Sequence, residues 1–424
     1  MAERIVFIYP PSEREAVPAG RLTLIEDGIE LRGSRFAYGR RYVERSNALP
    51  VDPVSLPLSE ASGRELLPAN GLLLFGALRD ATPDHWGRRV IENRLRAPPN
   101  GLPESVYLDQ AGPHRAGALD VRATPTSGPT ASVLPSRLDL DYLVDAAERV
   151  ENGEPVPAKL DIFFAGGPSL GGARPKAVLA TEGREWIAKF PSRHDPFDIP
   201  VIERAVLELA RSAGLQVPET RLIPLADGRQ MMLIERFDRA SDADGTSRRH
   251  MVSALTLLGR HESASPDSSY ADLADVISAY GVAGAIATDR QELYGRMVFN
   301  ILVSNDDDHL RNHAFLCEPG GAGWRLSPLF DVVPKPQVAS ERTLHLSVGP
   351  SGRSARLDNA LEGCGRFGLL RPQAARIIDR IVSAVREWRE RFEAADVDRR
   401  QCDLVATAFR RAGDIGMHAV QKHL

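Results

Sequence analysis

The segment Asn305 to Phe315, NDDDHLRNHAF, places three consecutive aspartates before a histidine and, after two more residues, an asparagine. An apolar run through Ile301, Leu302 and Val303 leads into it. Core packing does not call for so dense a run of charge. Phosphoryl transfer does, because one carboxylate must orient the acceptor hydroxyl and a nearby side-chain oxygen must help hold magnesium on the phosphates. Asp307 and Asn312 are five residues apart, the separation of Asp and Asn in the protein-kinase pattern HRDxxxxN. The spacing makes Asp307 the hydroxyl-orienting base and Asn312 a magnesium ligand. Asp306 and Asp308 are read as turn caps or solvent-facing carboxylates. His309 is read as a hydrogen-bonding brace of the loop, and His313 receives no role.

Three further features fit the same chemistry. Asp331, in SPLFDVV, ends the return of a strand pair over Ala314 to Leu316 and Trp324 to Leu326, where a second metal-binding carboxylate is expected although the sequence DFG is missing. Lys189, in the apolar strand EWIAKF, is placed to direct an ammonium at the α- and β-phosphates; its alternative is a strand-edge lysine whose charge reaches water. Basic residues here are mostly arginine, with lysine only at Lys159, Lys176, Lys189, Lys335 and Lys422, which favours a specific task for a lysine in an apolar strand. The stretch GGPSLGGARPKAVLA, Gly166 to Ala180, can bring backbone N–H groups close to anionic oxygens, although neither GxxxxGK[ST] nor GxGxxGxV is present. Glu203 either pairs with Lys189 or is a solvated first-turn residue of its helix.

The elements that must position these groups change character along the chain. MAERIVFIYP, GRLTLIEDG and IELRGSRFAYG read as short antiparallel strands. Asp84 is a candidate cap for a helix through Ile91 and Leu95, and a short helix is expected over Leu138 to Val150. KAVLA and EWIAKF form a hairpin across Thr181 to Arg184, an amphipathic helix follows over Ile202 to Ala213, and QMMLIERFDR is a buried strand running into charge. Helical spacing then dominates at Met251 to Leu258, Leu273 to Tyr280, Glu292 to Val303 and Ala374 to Trp388, with Trp388 read as a core residue. The expected class is α+β: a two-lobed, protein-kinase-like fold with a strand-rich N-terminal lobe and a mainly helical C-terminal lobe. Its parts are a barrel-like subdomain over 1–105, the rest of the N-terminal lobe over 106–235, and the helical lobe over 236–424.

At 424 residues the chain can form two substantial cores. A 43% apolar fraction and a net charge of -4 describe a globular protein with no overall bias toward nucleic acid. Three dispersed cysteines argue against a disulfide scaffold, and no apolar stretch is long enough for a membrane span, so a cytoplasmic location is expected.

These ordered motifs resemble the HipA-type serine/threonine kinase family, the toxin component of many two-gene toxin–antitoxin systems, over almost the whole chain. SRFAYGRRYVERSNALPVDPVSLPLSE and LLLFGALRDATPDHWGRRVIE look like its N-terminal subdomain, SLGGARPKAVL its glycine-rich loop, WIAKFPS its ATP-lysine strand, LIERFDR its interlobe segment, NDDDHLRNHAFL its catalytic loop and LSPLFDVVP its metal-binding segment. The resemblance implies ATP and Mg2+ as cofactors, with Lys189 on the phosphates, Asp307 catalytic, and Asn312 and Asp331 on the metal. It also implies nucleotide contacts from Ser169, Leu170, Gly171 and Gly172 of the loop, from Glu235 and Phe237 beside the adenine, and from His309. Asp238 matches the family pattern too, with a turn residue or Arg239 partner as its alternative. Ser169 matches a regulatory autophosphorylation site, with Pro168 as a departure that stiffens the loop. The implied partners are a small DNA-binding HipB-like antitoxin, with DNA reached only through it, and a protein substrate such as a translation factor or aminoacyl-tRNA synthetase. A small-molecule kinase and a nucleotide-binding regulator without turnover are the alternatives.

Overall fold

The fold is that of a computed structural model, which describes residues 1–11, 13–61, 63–129, 134–135, 140–157, 172–242 and 245–424. Two compact units emerge: one comprises 1–192, 223–260 and 316–322, the other 193–222, 261–315 and 323–424.

The first unit opens with β1 (Ala2–Ile8), β2 (Val17–Asp27) and β3 (Glu30–Tyr38), which with β4 (Leu119–Arg122) make a sheet of order β3-β2-β1-β4. The expected early strands are present. Helices α1 (His85–Leu95) and α2 (Leu140–Glu151) lie in the same unit. Asp84 occupies the cap position of α1, but its side chain makes no capping hydrogen bond. The hairpin of β5 (Lys176–Thr181) and β6 (Arg184–Lys189) turns through Glu182 and Gly183, whose φ of 52° and 73° suit a two-residue turn matched to strand twist. A second sheet has the order β5-β6-β8-β7, with β7 at Thr220–Pro224 and β8 at Gln230–Glu235. Alternation puts Ala177, Leu179, Trp186, Ala188 and Leu233 on one face, buried in a core with Trp86 and Val90 of α1 and Leu143 and Ala147 of α2. Lys176, Val178, Lys189 and Met232 therefore belong to the opposite face.

The stretch Met251 to Leu258 departs from the expected helix: Met251–Ser253 is a strand, and only Ala254–Leu257 is helical. Asp80 explains the switch. Its carboxylate accepts hydrogen bonds from Ser253 N and Oγ and from Thr256 Oγ1, all at 2.7 Å, while Ser253 Oγ caps Thr256 N.

The second unit is mainly helical. Helix α3 (Ile199–Ser212) starts before the expected Ile202, because Asp198 caps Val201 N and Pro200 fits the first turn. Helix α4 (Tyr270–Tyr280) opens with a reciprocal cap: Asp272 N donates to Ser269 Oγ at 3.1 Å and Ser269 N to Asp272 Oδ2 at 2.9 Å. Helix α5 (Ile286–Val303) is buried on most sides and ends at Ser304 in the left-handed conformation, φ 53°. Helix α6 (Arg371–Arg386) stops before Trp388, which starts α7 (Trp388–Ala394), so the expected continuous helix is two. Trp388 stacks on Phe409 at 4.0 Å, in line with a packing role.

Candidate active site

In the second unit, α5 delivers the segment 305–313. The left-handed Ser304 turns the chain, and Asn305 N donates back to Asn300 O at 3.1 Å. Asp307 is exposed, whereas Asp308 beside it is buried. Asp307 is held through its backbone: its carbonyl accepts from His309 N at 2.9 Å and from Asn312 Nδ2 at 2.9 Å. With Nδ2 so engaged, the remaining polar atom of the Asn312 side chain is Oδ1, an acceptor of the kind that ligates hard cations. Local burial raises the Asp307 pKa, His309 and His345 oppose the rise, and the carboxylates of Asp331 and Asp306 add to it. Asp331 thus shares the electrostatic neighbourhood of Asp307, and its φ of 58° is a conformation that a non-glycine residue rarely holds.

The flanking aspartates correct one expectation. Asp308 neither caps a turn nor meets solvent: it lies 3.0 Å from His313 Nε2 and accepts the Tyr270 hydroxyl. Burial would raise its pKa, but His313 and Tyr270 hold it below the usual carboxylate range. Asp306 forms an ion pair with Lys335 at 2.9 Å and accepts from Gln337 Nε2 at 3.2 Å. His309 and His345 rings meet edge to face at 5.9 Å, and Ser265 Oγ accepts from Leu310 N at 3.2 Å while lying 2.9 Å from His345 Nε2. Sequence reasoning missed Tyr270, Ser265 and His345. Each stands more than thirty residues from Asp307, and no local pattern marks it.

In the first unit, Lys189 is buried at the end of β6, opposite Lys176 of β5 and Met232 of β8. Lys176 was not singled out, although register places it on the Lys189 face. Ser169, Leu170 and Gly171 lie outside the described residues. Gly172 is described: its carbonyl accepts from Trp86 N at 3.1 Å, its φ is 100°, and a Cβ there would stand 2.2 Å from Lys176 Nζ. The positive φ favours glycine, and a side chain there would displace the Lys176 ammonium from the backbone it approaches.

Glu235 is opposite Trp186 at the other end of the β6–β8 pair, with Arg184 Nη1 donating to it at 3.0 Å, and Phe237 is half-buried. Asp238 is buried and accepts from Arg236 Nε at 3.0 Å, Arg236 Nη2 at 2.8 Å, Arg239 Nη1 at 2.9 Å and Gly117 N at 2.7 Å. Its alternative reading as an Arg239 partner therefore describes its contacts.

The family model of the HipA-like C-terminal domain matches residues 168–389, just over half of the chain. A relative named "Putative kinase Y4mE" from Sinorhizobium fredii is 28% identical over 329 residues, covering 70% of this chain and 71% of its own length. The Shewanella oneidensis "Serine/threonine-protein kinase toxin HipA" is 25% identical over 248 residues, covering 52% of this chain and 55% of its own. A chain in the solved Shewanella oneidensis complex of HipA, HipB and operator DNA superposes with a TM-score of 0.65 at 17% identity, covering 98% of this chain and 97% of that one. That likeness gives the fold, two-lobed, kinase-like and α+β. The chain belongs to the HipA-like family.

Proposed function

We propose that this chain is an ATP- and Mg2+-dependent protein serine/threonine kinase of the HipA type. The observation that carries the reading is the loop on which Asn312 Nδ2 clamps the Asp307 carbonyl while the Asp307 side chain stays open to solvent, with Asp331 in its electrostatic neighbourhood. Asp307 accepts the hydrogen bond, and then the proton, of an incoming serine or threonine hydroxyl.

Asn312 and Asp331 are the residues that would hold magnesium. Among the described residues no group of three or more His, Cys, Asp or Glu forms a metal cage. One amide oxygen and one carboxylate suit an ion that takes its remaining ligands from phosphates and water. When bound, magnesium neutralises charge developing on the transferred phosphoryl group.

Lys189 neutralises the nucleotide phosphates, and Lys176 on the same face supports it. Lys189 is three steps along the strand from the Trp186–Glu235 pair, about 10 Å at ~3.3 Å per residue, which suits phosphates at Lys189 and adenine against backbone groups near Glu235 and Phe237. His309 braces the loop at the nucleotide. Gly172, with Ser169, Leu170 and Gly171, belongs to the phosphate-covering loop. A phosphate on Ser169 would add charge beside ATP and reduce activity. A small DNA-binding antitoxin of HipB type is the partner, and a translation factor or aminoacyl-tRNA synthetase fits the substrate class. No described helix is long and apolar enough to cross a membrane.

The test is ATP turnover and ATP binding in Asp307→Ala. Lost turnover with retained binding is expected, and turnover equal to wild type contradicts the role. Phosphate mapping by mass spectrometry after Mg-ATP treatment tests Ser169; modification confined to other residues removes that assignment.

A further inference from the structure

Asp308 faces away from the proposed base and into the protein, and both its oxygens are engaged. Oδ1 lies 3.0 Å from His313 Nε2, and Oδ2 accepts the hydroxyl of Tyr270. That hydroxyl accepts from Asn300 Nδ2 at 3.1 Å, and Asn300 Oδ1 accepts from Asn305 Nδ2 at 3.1 Å. Tyr270 is itself fixed: it starts α4 just after the Ser269–Asp272 cap, and its backbone N donates to Ser347 O at 3.0 Å. The Tyr270 ring meets the His313 ring edge to face at 5.7 Å. All five residues of this set are buried. The set joins α4, the last turn of α5, and both ends of the segment 305–313.

We propose that Tyr270 is a positioning residue for phosphoryl transfer. Its hydroxyl, held between Asp308 and Asn300, locks the buried side of the loop so that neighbouring Asp307 faces outward; this rests on the reading of Asp307 as the base. Hydrogen bonds in a buried network reinforce one another, and removing the hydroxyl leaves a carboxylate oxygen and an amide without that partner. A displacement of the base by about 1 Å is enough to cost on the order of 100-fold in rate.

Tyr270→Phe removes the hydroxyl and keeps the ring. Tyr294→Phe is the control, because the Tyr294 hydroxyl is buried in α5 and makes no hydrogen bond among the described residues. Hydrogen–deuterium exchange of the full chain over 304–313 is measured beside steady-state ATP turnover. Exchange in Tyr270→Phe should quicken roughly tenfold or more, reflecting easier local opening. Its kcat should fall ~10- to 100-fold while KM for ATP stays within about twofold, as expected when only the reacting geometry is lost. Tyr294→Phe should change neither. Unchanged loop exchange in Tyr270→Phe, or equal loosening in both variants, overturns the proposal. Should wild type turn over no ATP, the kinase reading fails while the exchange comparison still decides whether Tyr270 locks the loop. If Tyr270→Phe does not fold, Asp308→Asn is compared with Asp308→Ala. Asparagine keeps an oxygen for Tyr270 and should retain at least ~5-fold more kcat; equal losses overturn the proposal.

Discussion

The segments Glu235–Arg239 and Asn305–His313 are both short and charge-dense, yet they use their aspartates in opposite ways. In the first, Asp238 is buried and receives four hydrogen bonds from Arg236, Arg239 and Gly117, so its acceptor capacity is taken up by its own chain. Burial would raise its pKa, but the two guanidinium groups outweigh burial and hold it at about 2. In the second, Asp308 is consumed in the same manner by Tyr270 and His313, and Asp306 by Lys335 and Gln337. Asp307 is the most exposed of the three, with its backbone fixed and its pKa raised by burial and nearby carboxylates. A run of charge is therefore a poor guide to chemistry, and which carboxylate its neighbours leave exposed is a better one.

The largest separation between the regions is expected at Asp331. Asp331→Ala should lower ATP turnover ~10³-fold or more and raise the magnesium concentration needed, read from turnover against magnesium titration. Folding stability should change little, and a variant equal to wild type removes Asp331 from the site. Next is Asp238→Ala, which removes one of the two carboxylates, Asp238 and Glu185, that buried Arg236 and Arg239 share, and should cost about 3 kcal/mol in urea unfolding. A cost below about 0.5 kcal/mol would mean that water compensates the pair.

Acid sharpens the contrast. The folded pKa of Asp238, about 2, lies below the ordinary value of about 3.9, so the stability it contributes is complete above the latter and is lost as pH falls through the former. Urea midpoints from about pH 5 to about pH 2 should decline in wild type with a share of the slope missing in Asp238→Asn. The smallest effect is expected from Lys335→Ala. Its ion pair with Asp306 is largely exposed and should contribute less than about 1 kcal/mol to a thermal melt.

Much of this was legible in the residues. The early strands, the β5–β6 hairpin and the helices containing Ile277 and Leu302 announce themselves through alternation, turn residues and helical spacing. The five-residue interval from Asp307 to Asn312 pointed to the loop that the fold builds. The helix expected at Met251 was lost to Asp80, far away in sequence, whose carboxylate terminates the strand and starts the turn. Asp308 was misread for the same reason: its partner Tyr270 is set by tertiary packing. The helix breaks at Glu387, and Trp388 beyond it stacks on Phe409, a contact no local periodicity encodes.

The most direct measurement compares Asp307→Asn with Asp238→Asn, following ATP turnover per folded molecule and thermal melting in parallel. Asp307→Asn should lose turnover and keep the wild-type melt, while Asp238→Asn should melt earlier yet turn over ATP normally once folded. Equal loss of turnover in the two variants, or a normal rate in Asp307→Asn, would contradict the division of labour between the segments.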